Sequence, residues 1–336
     1  MIDTAMSGYS GITAAYAILG ERPCLVETGT ATSAPVVREA LAGLGVGACD
    51  LATIVVTHIH LDHAGGVGDL AAAYPSARVV VQDAGARHLA DPSRLMASAR
   101  RVFGTAMDSL FGELLPTPGS RIDAIGDVGF VDLGGGRRLE AHHTPGHAKH
   151  HLGLVDSETG DLYVGDAAGL YIPPDDALGR TGLGADGEMG VMLPGTPPPD
   201  FDLELAVSSL GRFRELGASR LLFSHYGPIT AVGEALERAE EEMRLWVGIV
   251  REAWEQGRAN GDGNGDGDGA GIDLDHAVGM VRERTRERYA DLLARPDTAD
   301  KFEALSSAVA NVSGIARWLE GEERRANLLA EGGPVS

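Results

Sequence analysis

The stretch "IVVTHIHLDHAGG", residues 54–66, follows a β-branched run with three histidines and an aspartate in six positions. In an extended chain alternate side chains share a face, so His58 and His60 point together from the end of the strand. Asp62 and His63 fall at the turn into the next helix and aim elsewhere. One strand-to-helix turn thus presents two pairs of ligand-type side chains on neighbouring sides, which suits two metal ions a few ångströms apart. Four ligands do not complete two such sites. Candidates for the remainder stand at later strand ends: His147 in "HHTPGHAKHH", Asp166 in "LYVGDAAG" and His225 in "LLFSHYG".

Outward from this turn, short apolar runs alternate with Ala/Leu-rich amphipathic stretches as far as about residue 230, the pattern of an α/β (α+β) domain. "CLVET", "TIVVT", "RVVVQ", "GFVDL", "RLEAHHT", "LGLVD", "DLYVGD" and "RLLFSH" read as strands, and "SAPVVREALAGLG" and "HAGGVGDLAAAY" as helices, the first behind cap-type Thr32 and Ser33. "LGLVDSETGDLYVGD" reads as a hairpin, so mixed sheets are expected. Residues 83–115 form a helical insert, and the Pro/Gly/Asp-rich residues 173–200 a long loop near the site.

These features divide the chain into a catalytic domain at 1–230 and a helical C-terminal module at 231–336 with a flexible Gly/Asp linker at 258–272. Leu245, Trp246, Val250 and Trp254 on its long helix leave three roles open: covering the site, forming a homodimer interface, or packing on the protein's own core. In the linker, Asp262, Asn264, Asp266, Gly267, Asp268 and Asp273 fall at calcium-loop spacing, but the closing glutamate is missing and alternating Gly and Asp produces this spacing easily, which favours a plain linker.

The formal net charge of −21 disfavours nucleic acid as a partner, since phosphate binding needs a basic surface, and leaves a small-molecule substrate as the expectation. Cys24 and Cys49 adjoin apolar segments far from the histidines and read as reduced, buried thiols. The N-terminus has no basic n-region, and "ITAAYAILG" is too short to span a bilayer. A cytoplasmic protein that does not insert in a membrane is therefore expected.

"THIHLDHAGG", "TPGH", "GD" and "SHYG", in this order, resemble the metallo-β-lactamase superfamily over about residues 1–230. The resemblance implies a four-layer αββα sandwich of two mixed β-sheets, with a metal site along one edge. It puts His58, His60 and His147 on a first metal and Asp62, His63 and His225 on a second, with Asp166 bridging both. Two Zn²⁺ per chain are implied, iron or manganese also suiting imidazole and carboxylate ligands. Such a pair lowers the pKa of a shared water from about 15.7 towards neutrality and polarises the scissile carbonyl or phosphoryl group, while Asp62 moves the proton. Tyr171, Tyr226 and Lys149 are candidates for contacting the substrate. His142, His143, His150 and His151 are expected behind the ligands or at the surface, and His88 and His276 at no site.

Within the superfamily, Asp166 argues against a true β-lactamase and His60 against flavodiiron proteins. The full ligand set resembles the branch of glyoxalase II-type thioesterases, lactonases, ribonuclease Z-type phosphodiesterases and many uncharacterised hydrolases, and "GDAAGLY" with the helical extension is most similar to the last. The expected activity is hydrolysis of an ester, thioester or lactone of a small metabolite. A phosphodiesterase, a mononuclear iron persulfide dioxygenase and a non-enzymatic metal-binding scaffold are the alternatives.

Overall fold

The structure, a computed structural model, describes residues 1–174, 189–259 and 272–330. One sheet holds β1 (Ile2–Asp3), β2 (Ala14–Ile18), β3 (Cys24–Val26), β4 (Thr53–Val55), β5 (Arg78–Gln82) and β6 (Ile122–Ile125), in that order. Next come β7 (Val128–Gly134), β8 (Arg137–His143), β9 (Leu152–Asp156) and β10 (Asp161–Gly165), a short pair β11 (Leu170–Ile172) and β12 (Val191–Leu193), then β13 (Arg220–Phe223) and β14 (Gly227–Ile229). The second large sheet runs β14-β13-β10-β9-β8-β7. Both large sheets are mixed: β3 to β6 pair in parallel beside antiparallel β1 and β2, and β10 and β13 pair in parallel among antiparallel neighbours.

Alternate residues of each strand enter different layers. Cys24, Val26, Val55 and Val80 of the first sheet meet Leu139, Leu154, Tyr163 and Leu222 of the second in a core between the sheets. Their neighbours Leu25, Ile54, Val79 and Val81 turn outward. There they pack under α1 (Ala34–Gly43), α2 (Leu61–Ala64), α3 (Val67–Ala73), α4 (Asp83–Ala90), α5 (Ser93–Phe103) and α6 (Met107–Leu110). On the far side Leu162, Val164, Leu221 and Phe223 face α7 (Leu203–Glu215) and α8 (Val232–Ala259). The same apolar cluster continues into α9 (Leu274–Thr285), α10 (Ala290–Leu293), α11 (Pro296–Leu305) and α12 (Ala308–Ala330). The αββα expectation and the helical extension are both present.

Several local expectations are corrected. Thr30, not Thr32 or Ser33, caps the turn ahead of α1, its side chain accepting from Ser33 N at 3.1 Å; Ser33 is already helical and makes no cap. Cys49 is exposed, because it lies in the loop past α1, while Cys24 is buried; both are free thiols. Residues 173–200 are not all loop, since Val191–Leu193 pairs with Leu170–Ile172; residues 175–188 of that stretch lie outside the described residues. Trp246, Val250 and Trp254 pack into the protein's own core beside Val281, Val312 and Ile315, which removes them from any role over the site or at a dimer face. Residues 260–271 of the expected linker, with the calcium-like spacing, are outside the described residues; Asp273 caps α9 by accepting from His276 N at 3.0 Å.

No helix among the described residues is long and apolar enough to cross a membrane. Phe213 on α7 is fully buried between helix and sheet. Phe213→Ala is expected to lower unfolding stability by about 3–5 kcal/mol, read from the shift in urea midpoint at unchanged slope.

Candidate metal centre

Four strand ends deliver the polar residues to one edge of the sandwich. His58, His60, Asp62 and His63 follow β4, His147 lies between β8 and β9, Asp166 follows β10, and His225 follows β13. All seven meet. Ligand atoms of His58, His60 and His147 lie within 4.8 Å of one another, as do those of Asp62, His63 and His225, and those of His58, His63 and Asp166. Each group could hold a metal ion.

The lone pairs are fixed by what stands behind each ring. His147 Nδ1 is 2.9 Å from Gly195 O and His225 Nδ1 is 2.8 Å from Ile12 O; a carbonyl only accepts, so each Nδ1 donates outward and each Nε2 faces inward. His58 is set by a relay: Thr57 Oγ1 donates to Glu27 Oε1 at 2.5 Å and accepts from His58 Nδ1 at 3.0 Å. His58 Nε2 and His147 Nε2 then lie 2.9 and 3.0 Å from the same atom, His60 Nδ1. One imidazole N–H satisfies at most one of them. Three nitrogens this close approximate the roughly 3.3 Å edge of a tetrahedral zinc site.

The second cluster shows the same surplus of acceptors. His63 Nε2 and His225 Nε2 are 3.2 Å apart, and Asp62 Oδ2 lies 3.5 and 3.3 Å from them. Asp166 stands between the clusters, Oδ1 at 3.3 Å from His63 Nε2 and 3.5 Å from His225 Nε2, Oδ2 at 3.6 Å from His147 Nε2. Asp166 Oδ1, His63 Nδ1 and Glu27 Oε2 are buried with no hydrogen-bond partner. Buried polar atoms normally find one. A donor set of imidazole nitrogens and carboxylates with orphaned acceptors fits divalent cations.

Electrostatics divides the histidines. Burial lowers His58 well below its ordinary value and holds His60 and His147 at about 4, so these rings are neutral and ready to ligate near pH 7. For His63 and His225 burial also acts downward, but Asp166 and Asp62 outweigh it and raise both. Burial pushes Asp62 and Asp166 upward and the histidines override it, keeping both carboxylates ionised.

The other candidates lie at varying distances from the clusters. Tyr171 is not at the centre: its ring is fully buried in the helix-side core and its hydroxyl accepts from Gly190 N at 3.0 Å. Tyr226 packs between the sheets, its hydroxyl 3.4 Å from Asp3 Oδ2. Lys149 is largely exposed and paired with Asp200 at 2.9 Å. His151 stands behind the ligands: its Nε2 accepts from Asp166 N at 3.1 Å, and its Nδ1 is 2.9 Å from Thr144 Oγ1. Gly165 makes that approach possible, since a Cβ there would come within 2.5 Å of His151 Nε2 and Thr57 Oγ1. His150 lies beside the cluster, its ring 5.9 Å from that of His60, while His142 and His143 sit on β8. His88 is on α4 and His276 on α9, neither among the clustered groups.

Glu27 was not legible as a site residue. It closes strand "CLV" with φ 65°, a backbone region unfavourable for residues other than glycine. Its Oε1 collects Thr57 N at 3.2 Å, Thr57 Oγ1 and Ser224 Oγ at 3.4 Å, and lies 3.7 Å from His63 Nδ1. The available signal was an acidic residue ending an apolar strand.

With this geometry in place, comparison with known proteins is specific. Residues 9–225 match the metallo-beta-lactamase superfamily. The metallo-beta-lactamase fold-containing protein ST1585 of Sulfurisphaera tokodaii is 32% identical over 204 residues, 58% of this chain and 70% of its own. The crystal structure described as that of an archaeal metallo-beta-lactamase superfamily protein, ST1585 from Sulfolobus tokodaii, superposes with TM-score 0.58 at 26% identity, covering 72% of this chain and 84% of that one. That of TTHA1429 from Thermus thermophilus, a metallo-beta-lactamase family protein, gives TM-score 0.55 at 21% identity over 93% of this chain and 89% of that one, a likeness of fold.

The metal-free protein is expected to lose stability as pH falls from about 6.5 to 4. His60 and His147, with folded values of about 4, stay neutral over a range where the unfolded chain takes up protons, so unfolding is favoured on acidification. The raised His63 and His225 act oppositely, but their contribution is already complete below about 6.5 and is lost only as pH rises through their folded values. Calorimetric melting of chelator-treated protein across this range checks the sign; a melting temperature that rises on acidification contradicts it.

Proposed function

Because the chain belongs to the metallo-beta-lactamase superfamily, we propose that it hydrolyses an ester, thioester or lactone of a small metabolite with two divalent cations, zinc foremost, as cofactors. The observation that carries this reading is Asp166, whose Oδ2 faces His147 at 3.6 Å while Oδ1 faces His63 at 3.3 Å and His225 at 3.5 Å. A carboxylate with one oxygen towards each of two histidine clusters suits a pair of sites; a single site would need only one of those faces. His58, His60 and His147 would hold one ion, and Asp62, His63 and His225 the other. Bound there, the ions supply Lewis acidity, bringing a water's pKa towards about 7 and polarising the substrate carbonyl.

The chain's own groups do the remaining work. Thr57, Gly195 and Ile12 hold the outward N–H groups of His58, His147 and His225, keeping three lone pairs aimed inward without further rearrangement. Asp166 sets the spacing between the clusters and offsets positive charge on both. Asp62 is the more exposed of the two carboxylates, with 13% of its side chain accessible against 7% for Asp166. Ionised, it accepts the proton of the attacking water and passes it to the departing oxygen or sulfur. The burial of His58, His63 and His225 keeps bulk water from competing for the same groups.

Elemental analysis of the purified protein is expected to find two zinc, iron or manganese ions per chain, and the loaded protein to turn over members of an ester, thioester and lactone panel. Asp62→Ala is expected to lower kcat by about 10²–10⁴-fold. One iron per chain with oxygen consumption on glutathione persulfide overturns the hydrolase reading in favour of a dioxygenase. Turnover confined to phosphodiesters moves the scissile bond to phosphorus, and a metal-loaded protein inert across the panel favours a scaffold.

A further inference from the structure

His147 is held through a chain of contacts that ends far from the superfamily segment. Its Nδ1 donates to Gly195 O at 2.9 Å. The next residue, Thr196, is fully buried, and its backbone N–H donates to Asn311 Oδ1 on α12 at 2.6 Å. Thr196 Oγ1 lies 3.1 Å from the same Asn311 oxygen and 3.2 Å from Asn311 O. Asn311 is in turn fixed by its amide nitrogen, which donates to Ser306 Oγ at 2.8 Å and Ser307 O at 3.2 Å. One turn along α12, Gly314 lets the helix seat directly on this segment, where a Cβ would collide with Thr196 O.

Among the described residues, the imidazole of His147 therefore takes its orientation from a carbonyl whose own peptide N–H is anchored by a helix beyond residue 225, where the superfamily match ends. An unsatisfied buried N–H is costly, so the bond from Thr196 to Asn311 fixes that peptide tightly. A ring nitrogen is a good ligand only when its lone pair points at the ion, and the groups behind it decide that.

We propose that Asn311 is a positioning residue for His147, so that the C-terminal helix tunes the affinity of the His58–His60–His147 cluster for its cation. This rests on the two-ion reading above. Asn311 touches neither ion nor substrate; it acts through Thr196 and Gly195. Removing its oxygen frees the 195–196 peptide to rotate, and His147 loses the acceptor that sets its tautomer and tilt.

The test is zinc affinity in the full chain, measured by competition with a chromophoric chelator, with the absorption spectrum of the cobalt-substituted protein as a second readout. Asn311→Ala is expected to weaken one of two equivalents by about 10–100-fold, to leave the other unchanged and to alter the cobalt spectrum. Asn311→Asp, which keeps an acceptor for Thr196 N–H, is expected to restore most of the affinity. Asn311→Ser, polar but too short to reach Thr196, replaces the alanine variant if that does not fold. Tyr289→Phe breaks the buried Trp246–Tyr289–Glu242 link in the same extension, away from Thr196, and is expected to change neither equivalent.

Wild-type affinity for both equivalents in Asn311→Ala, or an equal loss in Tyr289→Phe, overturns the proposal. His147→Ala separates the two readings. If it loses one equivalent while Asn311→Ala loses none, the positioning role alone fails. If neither the wild type nor any variant binds zinc, the two-ion reading fails and the positioning role with it.

Discussion

Asp166 turns its two oxygens towards three imidazoles, and the loops of the site edge are arranged around that contact. A carboxylate removed from water is tolerated only where positive charge or donors surround it. Without a cation, protons on His63 and His225 supply part of that charge, which is why both are raised while the first cluster is held neutral. Cation and proton compete for one set of lone pairs. A metal ion held at the second cluster would therefore displace protons.

The sandwich tolerates this concentration of polar groups by limiting it to one edge. Among the buried polar side chains, Glu27, Thr57, Thr144, His151 and Ser224 lie beneath the ligands. These residues support the ligands from behind, each holding a backbone or a ring on which a ligand depends. Glu27 reaches both His58, through Thr57, and the neighbourhood of His63. A single buried carboxylate thus influences both clusters.

Much of the layout is legible in the sequence because its signals are local. Short apolar runs mark the strands, and the crowding of His58, His60, Asp62 and His63 behind β4 marks half the centre. His147, Asp166 and His225 are recoverable from the order of their motifs in the chain. Tyr171 and Tyr226 mislead because nearness in sequence is not nearness to the site: Tyr171 lies in the helix-side core and Tyr226 between the sheets. Glu27, Gly195 and Asn311 are hidden for the converse reason: the partners that tie them to the site lie 30 to 197 residues away, and no spacing rule joins them. The same limit applies to the tryptophans of α8, whose apolar face identifies the need for a partner but not which one.

Leu162, Val164, Leu221 and Phe223 share one apolar cluster with α8, α9 and α12, so the end of the superfamily match, at residue 225, falls in the middle of a continuous hydrophobic layer. A fragment cut there would keep every proposed ligand, yet uncover the outer face of the second sheet and drop the helix beneath Thr196. The matched segment is thus smaller than the unit that must be made whole in water.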